Sequence, residues 1–465
     1  MIRDNPPTTL RRDVLSAYVA SGAKIGSWVI VSAALFRHSG GDALGLLALV
    51  RSTLGLLNYL SLGLAPALMQ MLTGRMPADE AREAIETSVV TLVAPHPLPL
   101  QYATTSTPQP AARAMSSAIA VAWLAGMTAG GVVAGYALLF DRVHHVPVQS
   151  DHLILVLAMG AGLIFRMISE PHSAALQTSG QVRVDNYILA AAEGIWVAGA
   201  CLAPGLTGVA LSFAGAGLFV MIARTSLTHR ALATLGTAWT AIDTATVRTL
   251  IKIGSIIAAA QLADFLYAPT DFLLISWLLP YTGTAGGYTA AAYYAPAVQI
   301  DAALLVLTTG LASALLPHAM IAHAAGHTDK LRQFYIRGTL LSVALLVLAA
   351  TCTFAIAPQL LTLWLGDPMT GTVAILPLLL VHTVIGGSSG VGRSILLATG
   401  HTRAFAVAAL SGGVLNVIAS FTLTYFFDMG LRGIVLGTVI SVVARCLLWQ
   451  PWYILRTLRR MQIVS

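Results

Sequence analysis

Stretches of about twenty apolar residues, set apart by short breaks rich in charge, glycine or proline, recur from one end of this 465-residue chain to the other. A helix rises about 1.5 Å per residue, so about twenty such residues cross the hydrocarbon core of a bilayer. Composition points the same way: 57% of the residues are hydrophobic and 10% are charged, against about 25% charged in an ordinary soluble domain. The expected fold class is all-α, a polytopic membrane protein.

Reading the apolar runs against their breaks gives about twelve helices, over 15–35, 43–72, 115–139, 152–177, 186–204, 206–224, 249–279, 287–321, 335–358, 369–397, 404–426 and 431–455. The first follows Arg11 and Arg12 but is too long for the apolar core of a signal peptide, so it is read as a retained helix. Cys201, Cys352 and Cys446 all lie in apolar stretches without a pairing pattern, which implies neither a disulfide framework nor a zinc site.

The basic residues alternate with the loops. Sixteen fall on one side (Arg3, Arg11, Arg12, Arg75, Arg82, Arg113, Arg183, Arg230, Arg248, Lys330, Arg332, Arg337, Arg403, Arg456, Arg459 and Arg460), and three on the other (Arg37, Arg142 and Arg432). The positive-inside rule then places both termini of this multi-pass protein in the cytoplasm. It also accounts for the formal charge of +7 without a nucleic-acid partner. The longest break, 74–114, is cytoplasmic on this reading. Its part Ala78–Val93 has the pattern of an amphipathic surface helix, and the prolines around 95–110 make an irregular tether.

The chain repeats itself. Gly63-Leu64-Ala65-Pro66-Ala67-Leu68 matches Gly310-Leu311-Ala312-Ser313-Ala314-Leu315. Leu176-Gln177-Thr178-Ser179-Gly180-Gln181-Val182-Arg183 matches Leu396-Leu397-Ala398-Thr399-Gly400-His401-Thr402-Arg403, and Leu206-Thr207-Gly208-Val209 matches Leu431-Arg432-Gly433-Ile434. Each pair stands six helices apart and in the same order. The expected domains are therefore parallel six-helix bundles, 1–225 with its cytoplasmic loop 74–114 and 226–465. Parallel repeats of this kind occur in transporters that bind substrate between rocking halves.

Ser21-Gly22-Ala23-Lys24, Gly45-Leu46-Leu47-Ala48-Leu49 and the run Gly55–Leu68 (GLLNYLSLGLAPAL) resemble the start of polysaccharide flippases, the O-antigen and exopolysaccharide translocases of the multidrug/oligosaccharidyl-lipid/polysaccharide exporter (MOP) superfamily. The Ser/Thr-Gly-x-x-Arg signatures after the fourth and tenth helices are similar too. Ser61 stands where many members carry aspartate. The resemblance implies a MATE-like two-bundle fold. It also implies a polyprenyl-pyrophosphate-linked oligosaccharide as substrate, flipped toward the outer leaflet, with polysaccharide polymerase or export machinery as further partners.

Ionisable groups within the spans cost at least about 2.5–3.5 kcal/mol each, so they face a partner or a wet cavity. The substrate-binding candidates are Lys24, Arg51, Asn58 and Arg166, with Asn58 expected two turns beyond Arg51 on one helical face. Fixed cations suit a pyrophosphate headgroup, arginine as a fork and lysine as a point charge; the alternative is that they only neutralise carboxylates. Arg166 and Glu170 stand i, i+4 and are expected to pair, next to a helix loosened by Pro171. Gln261, Asp264, Tyr267 and Asp271 make a polar stripe along the seventh helix, facing Gln299 and Asp301. Asp264, Asp271, Asp301, Glu170 and Glu193 are the candidates for ion coupling, and Lys252, Arg393 and Arg445 are further intramembrane charges. His382 and Asn416 are expected to bond between helices.

No cofactor is expected; the energy is expected from a proton or sodium gradient, from the membrane potential or from downstream consumption of the product. No nucleophile–base pair, P-loop or dinucleotide fingerprint marks an enzyme. Two other functions stay open from sequence: an ion-coupled multidrug or organic-cation exporter, and a membrane glycan polymerase or glycosyltransferase.

Overall fold

The computed structural model describes residues 7–60, 63–72, 108–144, 150–231, 242–265, 268–279 and 287–464. Among them the chain is almost wholly helical and contains no strand. The expected surface helix Ala78–Val93 and the proline-rich tether lie outside the described residues. Nine helices among the described residues are long and apolar enough to cross a membrane, so the chain is a multi-pass membrane protein. The first two of the twelve expected helices meet at a kink at Gly40 and count as one of the nine, while Val182–Leu202, Thr244–Phe265 and Ala268–Leu278 are not among them.

The chain divides into two units, one from Met1–Ser39 with Val50–Gln261 and the other from Gly40–Leu49 with Leu262–Ser465. The division thus falls well beyond residue 225, and a ten-residue piece near the N-terminus belongs with the second half. Helix α1 (Pro7–Leu54) carries the crossing: it is interrupted at Gly40, with φ 82° and ψ −174°.

In the first unit, α2 (Leu57–Leu60) and α3 (Leu64–Leu72) lead to the described start of α4 (Pro108–His144). α5 (Ser150–Ile168), α6 (Glu170–Thr178), α7 (Val182–Leu202) and α8 (Leu206–Ala231) complete its long helices, with α9 (Thr244–Phe265) beginning at its end. Leu64, Ala67 and Leu68, from the first repeated motif, are buried against Ala114, Met115, Ala118, Ala174, Ala175 and Leu250. Outside that core α4 presents Trp123, Leu124, Met127, Val132 and Leu138 as exposed side chains, the apolar face that a bilayer would cover. Asp243, ahead of α9, accepts the Thr246 hydroxyl at 2.7 Å and its backbone N–H at 2.9 Å. That is an N-cap. The Thr246 hydrogen bonds hold this carboxyl below its ordinary value.

The second unit contains α10 (Ala268–Leu278), α11 (Gly287–Ala324), α12 (Thr328–Ala355), α13 (Ala357–Leu365), α14 (Thr370–Ala398), α15 (Thr402–Tyr425), α16 (Gly430–Val442), a π-helical turn (Val443–Trp449) and α17 (Gln450–Val464). Small hydroxyls tie its helices to neighbouring backbones: Thr372 donates to Tyr293 O at 2.8 Å and Ser394 to Ala312 O at 2.9 Å, the polar links common between membrane helices.

Gly45 is where the stray piece of α1 enters the second unit. A Cβ there would fall onto the Tyr288 carbonyl oxygen and stand 2.9 Å from Ala292 N. Gly45→Val is therefore expected to destabilise by about 1–3 kcal/mol through overpacking, read as a lower unfolding temperature in detergent. Gly131→Ala, with nothing within 4 Å, should hold or slightly raise it; equal melting of both variants would remove the role given to Gly45.

The internal repeat reappears as geometry. Gly180 (φ 80°) and Gly400 (φ 76°) both take the left-handed conformation past a helix end. Gln181 N–H reaches back to Leu176 O at 2.9 Å, and His401 N–H to Leu396 O at 2.8 Å. These are the same glycine-ended turn, built by the second pair of matching motifs.

Candidate functional site

In the first unit three helices bring their charges together. Lys24, Ser27 and Trp28 share a face of α1 at spacings of three and four, while Glu193 and Trp196 share one on α7. Arg166 projects from the last turn of α5. Both of its terminal nitrogens lie 3.1 Å from Glu193 Oε1, and Ser27 donates to Glu193 Oε2 at 2.6 Å. One carboxylate thus has both oxygens engaged.

Arg51 is placed differently. Its guanidinium lies 4.0 Å from the centre of the Trp28 ring and 5.7 Å from that of Trp196. Trp196 is itself fixed by donating to Val209 O at 3.1 Å and by an edge contact with Phe213. Arg166 lies 5.0 Å from the Phe213 ring centre. The π faces spread some of the positive charge but do not neutralise it. Lys24 is exposed and within electrostatic range of Arg51, Arg166 and Glu193. Among the described residues neither Lys24 nor Arg51 makes an ion pair, and the buried Nη1 of Arg51 has no hydrogen-bond partner. Among the described residues, three cations therefore lie within range of Glu193, and that carboxylate is already committed.

Several sequence expectations are corrected here. Asn58 does not continue the Arg51 face, because α1 ends at Leu54 and α2 begins only at Leu57; its side chain lies outside the described ones. Arg166 reaches across to Glu193; Ser169, between Arg166 and Glu170, keeps right-handed helical φ/ψ, and Pro171 stands in the first turn of α6. Glu170 opens that helix. Of the stripe from Gln261 to Asp271, Gln261 lies on α9, described to Phe265, and Asp271 on α10, described from Ala268 with Pro269 in its first turn; residues 266 and 267 lie outside the described ones. The side chain of Asp264 lies outside the described ones, as does Tyr267.

The second unit holds carboxylates of another kind. Asp271 is fully buried and accepts Tyr294 Oη at 2.7 Å, Thr438 Oγ1 at 2.8 Å and Asn416 Nδ2 at 3.0 Å. Asp301 accepts the Thr383 hydroxyl at 2.5 Å, with His382 Nδ1 3.5 Å from the same oxygen. Tyr294 lies within electrostatic range of both acids. No lysine or arginine pairs with either among the described residues.

A further network escaped sequence reasoning. Arg224 on α8 donates from Nε to Asp185 Oδ1 at 2.7 Å and from Nη1 to Ser169 at 3.1 Å. Asp185 Oδ2 also accepts Ser173 at 2.7 Å and Gln177 at 2.9 Å. The available signal was Arg224 itself, a cation inside an apolar run with no acid at helical spacing.

Known proteins with this arrangement of helices are transporters. The inward-facing conformation of a multidrug resistance MATE family transporter of the MOP superfamily superposes with a TM-score of 0.73 at 14% identity, covering 97% of this chain and 99% of that one. The fold is the MATE transporter fold. A MOP superfamily transporter from Pyrococcus furiosus, described as having a binding pocket of reverse polarity that suggests a different function, matches with a TM-score of 0.64 at 12% identity over 98% of this chain and 97% of that chain. A structure of MATE in complex with MaD3S gives 0.61 at 15% identity, covering 98% of each chain. In sequence, the uncharacterized membrane protein EpsK of Bacillus subtilis (strain 168) is 24% identical over 334 residues, 70% of this chain. The match spans 64% of that protein, under two thirds of its length. No family model matches the chain.

Proposed function

We propose that this chain is a transporter of the MOP type that carries a polyprenyl-pyrophosphate-linked oligosaccharide across the inner membrane. The observation behind the reading is a charge imbalance in the first unit: Lys24, Arg51 and Arg166 within electrostatic range of Glu193, with neither Lys24 nor Arg51 in an ion pair among the described residues. Uncompensated cations at membrane depth are costly, and an anionic headgroup is the ligand that repays them. A pyrophosphate offers oxygens to the unpartnered Arg51 nitrogen and to Lys24 at once. The reverse-polarity pocket described for the Pyrococcus furiosus relative supports the view that one fold serves ligands of opposite charge.

The test is reconstitution of the intact protein in vesicles with a fluorescent lipid-linked oligosaccharide, beside parallel vesicles loaded with a cationic dye. Translocation of the lipid-linked sugar without dye movement is expected. Dye export without sugar translocation would replace this reading with the multidrug one.

Gradient coupling is assigned to the second unit. All three neighbours of Asp271 donate to it, which suits a carboxylate that exchanges a proton better than one that ligates sodium. Asp271→Asn keeps the shape and removes the titration. It should lower transport driven by a pH gradient by about tenfold or more, an effect of the size seen for lost proton-transfer groups, while leaving gradient-free exchange intact. Retained acceleration by the gradient would take the role away from Asp271.

A further inference from the structure

The C-terminal end of the second unit carries a cleft that the transport reading does not use. Two hollows meet at Tyr453. The first, about 640 Å³, is lined by His401, Trp452, Arg456 and Arg460. The second, about 520 Å³, runs along α15 past Val407, Ala408 and Leu415, with Arg403, Arg445 and Trp449 on its walls. The π-helical turn Val443–Trp449 leads directly into these walls. It widens the helix just before α17, and Trp449 stacks on Tyr453 at 5.0 Å between ring centres.

The composition is that of an amphiphile's complement. No carboxylate lines either hollow among the described residues. On neighbouring α12, Asp329 accepts the Gln462 amide at 2.6 Å. Arg456 lies over the Trp452 ring at 5.2 Å from its centre and carries no carboxylate partner among the described residues. Beside this cationic end the apolar wall is open, with Val407 64% and Trp452 54% exposed on helices that belong to the membrane-spanning set.

We infer that this cleft binds an anionic membrane phospholipid, its phosphate held by Arg456, Arg460 and Arg403 and an acyl chain lying along Val407 and Leu415. Basic pockets between membrane helices take such headgroups, and aromatic side chains settle at that depth. Arginine matches phosphate oxygens in pairs. The lipid here is a resident of the bilayer and independent of the carried substrate, so the inference stands or falls apart from the transport assay.

The experiment uses the full chain in detergent, with native mass spectrometry and thermal unfolding after addition of phosphatidylglycerol, phosphatidylcholine of the same chains, or inorganic phosphate. Wild type should retain phosphatidylglycerol about tenfold better than phosphatidylcholine and melt higher with it. The exposed pair Arg456→Gln/Arg460→Gln should erase that preference. Arg332→Gln/Arg459→Gln, which changes charge equally beside a different hollow, should keep it. Arg456→Gln alone should weaken the preference, and serves where the double variant is not monodisperse. Equal retention of the two lipids, equal loss in the control pair, or stabilisation by inorganic phosphate matching that by phosphatidylglycerol would each overturn the inference.

Discussion

Arg51→Ala is expected to abolish transport of the lipid-linked oligosaccharide while the protein still reaches the membrane in normal amount. The two halves of that expectation have separate physical grounds. Structurally, Arg51 can be lost cheaply. Its main contact is the Trp28 face at 4.0 Å, worth about 0.5–2 kcal/mol, and no acid is orphaned because Glu193 is held by Arg166 and Ser27. Functionally, its buried Nη1 is, with Arg166 Nε, an unpartnered donor of the cluster among the described residues, and removing it takes away both charge and fork. Lys24→Ala should act the same way. Arg51→Lys should retain part of the activity, since charge survives but planar two-point contact does not. Sugar-lipid translocation, normalised to folded protein in the membrane, is the measurement. Wild-type rates in both alanine variants would refute the role of this cluster.

The second large effect lies in stability. Arg224→Ala leaves Asp185 buried with Ser173 and Gln177 as its remaining donors, and breaking such a pair from one side costs about 3–5 kcal/mol. Lower yield and a lower unfolding temperature are expected, with transport per folded molecule near wild type. Replacing both partners by apolar residues of similar volume, Arg224→Met with Asp185→Leu, should recover most of the loss. Arg224→Ala that unfolds at the wild-type temperature would show that the network does not hold α7 and α8 to the start of α6.

The spans were legible in the sequence because hydrocarbon leaves a strong, local signature. Any helix exposed to it must be apolar over a fixed length, whatever it packs against. The matching helix ends at Gly180 and Gly400 were legible because glycine has few substitutes at positive φ. Partnership was not. Spacing puts Arg166 beside Glu170 on one face, yet Glu193, 27 residues on and on another helix, takes the arginine. Asp185 and Arg224 lie 39 residues apart, and nothing local to either says that they meet. The transfer of Gly40–Leu49 to the second unit was equally hidden, since it depends on a close approach at Gly45 that a run of small and apolar residues does not announce.

The matching bends at Gly180 and Gly400 separate architecture from chemistry. The two motifs share one instruction for where a rod stops, yet the first unit sets Glu193 among Lys24, Arg51 and Arg166 while the second sets Asp271 and Asp301 among hydroxyls, an amide and an imidazole. Exchanging these ionisable sets between the units would then change which ligand charge each tolerates while leaving the helix ends as they are.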